Sequence, residues 1–223
     1  MRWIAMMLVA ALVFGGAGLA VAGPVNPSFE DGGGSLTGWS TSGQAGAWEV
    51  VEAASATDGD YWATGQAIAQ TTDLVNASTT LSQEFDLPAA TQSFSVDLAR
   101  FKAGGDLASF EVKLAASGAS DLVIWSDAVD PSPYDIGFTD NPLSGAHRFA
   151  VDSGALTELL GRTVTFSVYL EAAPGEFNPT TSGMHVDNLV VTIPEPASLA
   201  LLGLGGLMMV GRRRRIASRD SGL

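Results

Sequence analysis

The sequence predicts an all-β fold, an antiparallel β-sandwich of about nine or ten short strands. Three observations lead there. Apolar and polar residues alternate with a period of two, turn signals separate the alternating runs, and helical periodicity is scarce. Phe94, Val96 and Leu98 alternate with Ser93, Ser95 and Asp97. Phe110, Val112 and Leu114 alternate with Glu111 and Lys113, and Val164, Phe166, Val168 and Leu170 alternate with Thr163, Thr165, Ser167 and Tyr169. Such runs bury one face of a strand and leave the other wet.

Taken in chain order, the further strand candidates are Trp48–Glu52, Tyr61–Ala69, Thr79–Phe85, Leu122–Trp125, His147–Val151 and His185–Ile193. Turns fall at Asp31-Gly32-Gly33-Gly34, Asp58-Gly59, Gly104-Gly105-Asp106, Asp130-Pro131-Ser132-Pro133, Asn141-Pro142 and Pro174-Gly175. Ser153–Leu160 is the exception. It reads as a short helix capped by Ser153 and stopped by Gly161. Asp127–Asn141, rich in Pro and Asp, reads as a surface loop. There is no internal repeat.

Both ends read as targeting elements. Met1–Ala22 has the pattern of a secretory signal peptide: Arg2, an apolar stretch from Ile4 to Leu19, and the small-residue site Ala20-Val21-Ala22. The domain then runs over residues 23–193. Between Pro24 and Ile193 stand 22 acidic and five basic residues, a net charge of −17. Such a surface repels phosphate backbones, which excludes nucleic acid as a partner. It suits solubility outside the cell and loose binding of divalent cations. The chain has no cysteine. Disulfides and thiol chemistry are therefore excluded, and stability must come from burial, hydrogen bonds or a metal ion.

The two ends of the domain carry a resemblance. "NPSFE" (Asn26–Glu30), a glycine-rich turn and "GW" (Gly38-Trp39) resemble the start of galactose-binding-like jelly rolls, the fold of many carbohydrate-binding modules. "DGDYWAT" (Asp58–Thr64) is similar to their next strand, and "MHVDNLVVT" (Met184–Thr192) to their last. The resemblance implies a jelly-roll β-sandwich. It also implies one structural calcium where the first and last strands meet, held by Glu30 and Asp187, with carbonyls from the Asp58-Gly59-Asp60 turn. Asp58 is the third candidate ligand residue. Calcium takes six to eight oxygen ligands and tolerates irregular geometry.

The C-terminus reads "IPEPASLALLGLGGLMMVGRRRR" from Ile193 to Arg215. Its apolar run of about fifteen residues would span roughly 22 Å as a helix, short of the roughly 30 Å hydrocarbon core. Gly203, Gly205, Gly206 and Gly211 weaken it further as a helix. It reads as a temporary transmembrane anchor, with Arg212–Arg215 cytoplasmic and the β-domain outside. Pro194, Glu195 and Pro196 with Arg212, Arg213, Arg214 and Arg215 resemble the PEP-CTERM sorting signal of exported proteins. That resemblance implies residues 194–215 as the signal and 216–223 as a cytoplasmic tail. It also implies processing by an exosortase, an integral-membrane cysteine protease-transpeptidase, and delivery to the outer surface or the extracellular matrix.

No catalytic motif stands out. His147 and His185 lie in no nucleophile motif, no G-x-S-x-G occurs, and zinc-ligand spacing is missing. Trp39, Trp48, Trp62, Trp125 and Tyr134 are the candidate sugar-stacking rings. Trp62 and Trp125 read as packed among apolar neighbours, and Tyr134 as the exposed one. The functional expectation is a non-enzymatic exported protein that binds extracellular polysaccharide or serves adhesion. The alternative is a secreted, glycosidase-like hydrolase with an unrecognised carboxylate site.

Overall fold

The computed structural model describes residues 23–52, 56, 58–70, 76–103, 108–126, 135–136, 147–174 and 180–194. The signal-peptide and transmembrane-helix readings, Tyr134, and the sorting residues from Glu195 onward lie outside them. Among the described residues no helix is long and apolar enough to cross a membrane. The β-structure lies in one compact unit, Val21–Ile193.

Eleven strands are described: β1 (Ser40–Gly43), β2 (Trp48–Glu52), β3 (Tyr61–Ala69), β4 (Ala77–Leu87), β5 (Ser93–Ala103), β6 (Ala108–Ala115), β7 (Leu122–Ser126), β8 (Asp135–Ile136), β9 (His147–Asp152), β10 (Arg162–Ala172) and β11 (Thr180–Thr192). They form two sheets, one ordered β1-β4-β10-β6-β7 and the other β2-β3-β11-β5-β8, with β9 also paired to β5. Every pairing is antiparallel except the two-residue contact of β8 with β5.

The period of two builds the core. Val164, Phe166, Val168 and Leu170 of β10 are buried against the apolar faces of the other sheet, among them Phe94, Val96 and Leu98 of β5. Phe94 and Phe166 lie 5.8 Å apart, and Trp39 meets Phe166 edge-on at 6.1 Å. Arg100 occupies a core-facing position of β5. Its guanidinium lies 4.5 Å from the centre of the Phe110 ring on the opposite sheet, a cation–π contact inside the sandwich. Gly65 is required by packing: a Cβ there would stand 2.3 Å from the Trp48 indole, which lies across it.

Three differences from the sequence reading have local causes. Ser153–Leu160 is a succession of turns. Asp152 Oδ1 accepts the Ala155 N–H, which places the cap one residue earlier than Ser153. Thr157 Oγ1 donates to the Ser153 and Gly154 carbonyls, so side chains compete with the backbone ladder. Only Leu156 and Leu159 are buried there, and Gly161 ends the segment at φ 72°. β1 was not foreseen because Ser-Thr-Ser-Gly has no apolar member and is exposed throughout. The expected 127–141 loop contains β8, a strand too short to leave a periodic trace.

Candidate functional site

The corner where the chain enters and leaves the sandwich gathers Glu30, Asp58 and Asp187. Asn26 Oδ1 accepts the Asp31 N–H and its Nδ2 donates to the Ser35 carbonyl at 2.8 Å, closing the N-terminal hook. The Trp39 indole N–H donates to the Asn26 carbonyl. The hook then meets a bulge in β11, where pairing to β5 shifts between Asp187 and Val190, and the Leu189 N–H donates to the Pro27 carbonyl. Asn26, Phe29 and Asn188 have positive φ, at 48°, 62° and 52°. They are the only described non-glycine residues that do, and all lie at this corner. Each costs about 1–3 kcal/mol, a strain held here by the surrounding bonds.

Glu30 and Asp187 both reach the turn at residues 58–61, to which Asp58 belongs. Glu30 Oε1 accepts the N–H groups of Asp60 at 2.9 Å and Tyr61 at 2.8 Å. Asp187, 2 % exposed, accepts the Asp58 N–H at 3.1 Å on Oδ2 and the Asn188 N–H at 2.8 Å on Oδ1. Asp58 Oδ2 accepts the Ser28 hydroxyl at 2.6 Å. Gly59 sits at φ 75°, and a Cβ there would lie 2.4 Å from the Glu30 carboxylate. The turn therefore needs glycine both for its backbone and for the approach of Glu30. Across the sheet, Asp187 is the register partner of Asp97. Arg148 grips Asp97 through Nε at 2.8 Å and a second nitrogen at 2.9 Å, and Asn188 Nδ2 donates to it at 3.0 Å.

These donors are hard oxygens, which suit calcium rather than a softer metal. The same oxygens already take backbone N–H and hydroxyl donors. Among the described residues no three His, Asp or Glu side chains stand together as a metal-holding group.

His185 lies on β11 two residues before Asp187, stacked on Trp62 with ring centres 4.5 Å apart. Burial lowers its pKa to about 4. Because the folded value lies below the unfolded one, His185 contributes stability that is complete above about pH 6.5 and lost as the pH falls toward 4. The expected loss is about 3 kcal/mol. Urea melts between pH 7 and 4 check this: His185→Gln should remove that share of the acid sensitivity, and an unchanged pH slope would refute it.

The outer face of the β1-β4-β10-β6-β7 sheet is a second candidate. The four tryptophans singled out above, Trp39, Trp48, Trp62 and Trp125, are buried. They offer no ring for stacking a sugar. Tyr169 does face outward at the centre of this sheet. Register places it in one row with Ser42, Thr80, Glu111 and Ser126, one residue from each strand. The adjoining row is Ser40, Ser82, Ser167, Lys113 and Val123. Glu171 anchors the ring. It hydrogen-bonds the Tyr169 hydroxyl and accepts Asn76 Nδ2 at 2.5 Å and Ser109 Oγ at 3.2 Å. The Asn76 bond, with those of Tyr169 and Ser109, holds the Glu171 carboxyl below its usual pKa against the opposing effect of burial. Burial and the Glu171 bond push the Tyr169 hydroxyl up. Lys113 bridges Asp121 and Glu111, each at 2.9 Å. The result is an outward aromatic ring among hydroxyl, amide and carboxylate groups. The sequence signal was the one aromatic among the outward Thr163, Thr165 and Ser167 of β10.

The described strands define an all-β, antiparallel two-sheet sandwich. Among solved structures, the chain is similar to TmCBM61, determined in complex with β-1,4-galactotriose, at 18 % identity over 75 % of this chain and 95 % of that one, with a TM-score of 0.50. It is also similar to CBM28, a non-crystalline cellulose specific carbohydrate-binding module, at 15 % identity, 76 % and 95 % coverage and a TM-score of 0.43. The K1 cleaved adhesin domain of Lys-gingipain from Porphyromonas gingivalis W83 matches at 13 % identity, 75 % and 96 % coverage and a TM-score of 0.44. No curated protein sequence matches. Residues 192–215 match the PEP-CTERM protein-sorting motif. The chain thus carries a sorting signal that implies export of the sandwich ahead of it.

Proposed function

We propose that this protein is an exported, non-catalytic polysaccharide-binding module, released by exosortase processing to the cell surface or extracellular matrix. The observation that carries the reading is the Tyr169 face: an outward ring at the centre of a five-stranded sheet, in register with Thr80 and Glu111. An aromatic face takes the apolar side of a pyranose, and side chains already held by one another lose little freedom on binding. A module of this fold binds a β-1,4-galactotriose. Neutral polysaccharide is the ligand class to test first, because the domain's net charge of −17 opposes polyanions. Tyr169→Ala should weaken binding by roughly tenfold or more, about 1.4 kcal/mol. Affinity electrophoresis in gels containing β-1,4-galactan or mixed-linked glucan reads this. Wild-type mobility unchanged across neutral polysaccharides would defeat the reading.

Calcium is part of the same proposal. Glu30, Asp187 and Asp58 would hold it at the entry corner, a reading that the all-oxygen donor set supports. The cation would offset the negative charge of this corner. At a hundredfold excess over Kd it would stabilise the domain by about 2.7 kcal/mol. Thermal melts should rise on the order of 5 °C from EDTA to millimolar calcium. Superimposable curves would rule out a structural calcium.

A further inference from the structure

The sorting motif begins at residue 192, and β11 ends at Thr192. Ile193, 44 % exposed, is all that separates the last strand from Pro194. Two residues of extended chain reach about 7 Å. A domain of this size has a radius of gyration of roughly 15 Å. An enzyme that takes the Pro-Glu-Pro segment into a cleft would meet the sandwich before its cleft was filled.

The end of β11 is built differently from the rest of it. From Thr181 to Val186 the strand is paired on both sides, to β3 and to β5. Beyond the bulge, Val190, Val191 and Thr192 pair with no strand but β5, opposite Ser95, Phe94 and Ser93, and the Thr192 carbonyl accepts the Gln92 N–H at 2.8 Å. That stretch of β5 is held independently on its other edge, where Ser93, Phe94 and Ser95 pair with Asp152, Val151 and Ala150 of β9. The bulge just upstream is pinned by the Asp187 carboxylate and by the Leu189 bond to Pro27. Thr192 is exposed, and Val190 and Val191 are only half-buried. Three residues can therefore leave the sheet while β5 keeps a partner and β11 stays seated up to Asp187.

On the exosortase reading of the sorting motif, we infer that the processing enzyme's recognition segment extends into the fold: Val190–Thr192 peel from β5 and enter the enzyme's cleft as an extended strand ahead of Ile193 and Pro194. Peeling adds roughly 10 Å of reach. It also presents main-chain donors and acceptors already in strand conformation, the form in which clefts bind peptides by strand addition.

A disulfide lock tests this. The chain has no cysteine, so Ser93→Cys with Thr192→Cys introduces one defined pair. These residues are register partners. Antiparallel partners stand about 4.5–5.5 Å apart at Cα, within the span a disulfide bridges. Full-length chain with a C-terminal epitope is followed by pulse-chase in cells that contain the exosortase. The oxidised double variant should lose its epitope roughly tenfold more slowly than wild type. The two single variants, and the double variant under reductant, should match wild type. Inserting about six Gly/Ser residues after Ile193, roughly 20 Å of reach, should restore processing to the locked chain. A locked chain processed at the wild-type rate overturns the inference, and so does a locked chain that the insertion fails to rescue. A wild-type chain that keeps its epitope instead defeats the sorting reading on which the inference rests.

Discussion

Phe166→Ala is expected to destabilise the sandwich by about 3–5 kcal/mol. Phe166 is fully buried at the middle of β10, between Gln83 of β4 and Leu114 of β6 in register. Its ring meets Phe94 from the opposite sheet and the edge of Trp39. Phe94 in turn stacks on Phe85 at 6.3 Å. Removing the ring deletes contacts to both layers at once. The surrounding strands are tied into ladders on each side and cannot collapse to fill the gap, so a cavity cost adds to the lost transfer energy. Phe166→Leu retains most of the volume and should cost about 1.5 kcal/mol or less. Tyr169→Ala, three residues along the same strand on the outer face, should change stability by less than about 1 kcal/mol. Urea titrations at constant m-value read all three. Equal losses at positions 166 and 169 would overturn the assignment of inner and outer faces.

Asp187→Ala is expected to cost about 2–5 kcal/mol, more than its small side chain suggests. Both carboxylate oxygens are committed to backbone N–H groups, one in the distant 58–61 turn and one in its own bulge. Alanine leaves those donors without an acceptor at a nearly dry position. Loss of repulsion from the neighbouring Asp97 offsets part of the cost, though Arg148 and Asn188 already hold that carboxylate. Asp187→Asn keeps the shape and one acceptor, so it should lose roughly half as much. The same substitution reports on the cation. If calcium seats here, Asp187→Ala abolishes the EDTA-sensitive part of the melt; if the calcium shift persists in the variant, Asp187 is not a ligand. Hydrogen exchange at the Asp58 and Asn188 amides gives a local readout, with both losing protection in the alanine variant.

The placement of the two candidate sites has a consequence for delivery. The Tyr169 face belongs to the sheet of β1, β4, β10, β6 and β7, whereas the sorting motif leaves from β11 in the other sheet. On the proposed reading, ligand binding and processing would engage different layers of the sandwich. Tyr169→Ala should not slow epitope loss, and the disulfide lock should not alter binding.

By itself, the sequence determined the all-β class, most strands and the sorting signal. Alternation in Phe94–Leu98 or Val164–Leu170 is set by residues two apart on one strand, and the Pro-Glu-Pro, apolar and arginine segments are contiguous, so neither depends on long-range contacts. The predicted limits of β2 and β3 coincide with those observed for the same reason. Local competition misled the reading of Ser153–Leu160, because Asp152 and Thr157 turn their side chains onto the backbone, which hydrophobic spacing does not reveal. The resemblance pointed to Glu30, Asp58 and Asp187 as neighbours. What those carboxylates bond to, N–H groups of the 58–61 turn for Glu30 and Asp187 and the Ser28 hydroxyl for Asp58, follows from the hook, the bulge and three left-handed residues, and only the folded chain shows it. Alternation on β10 already turned Tyr169 outward, but which residues surround it was decided by tertiary structure. The central row takes one residue from each of five strands separated by up to about 125 positions, and a one-residue slip in any register would turn that strand's contribution into the core.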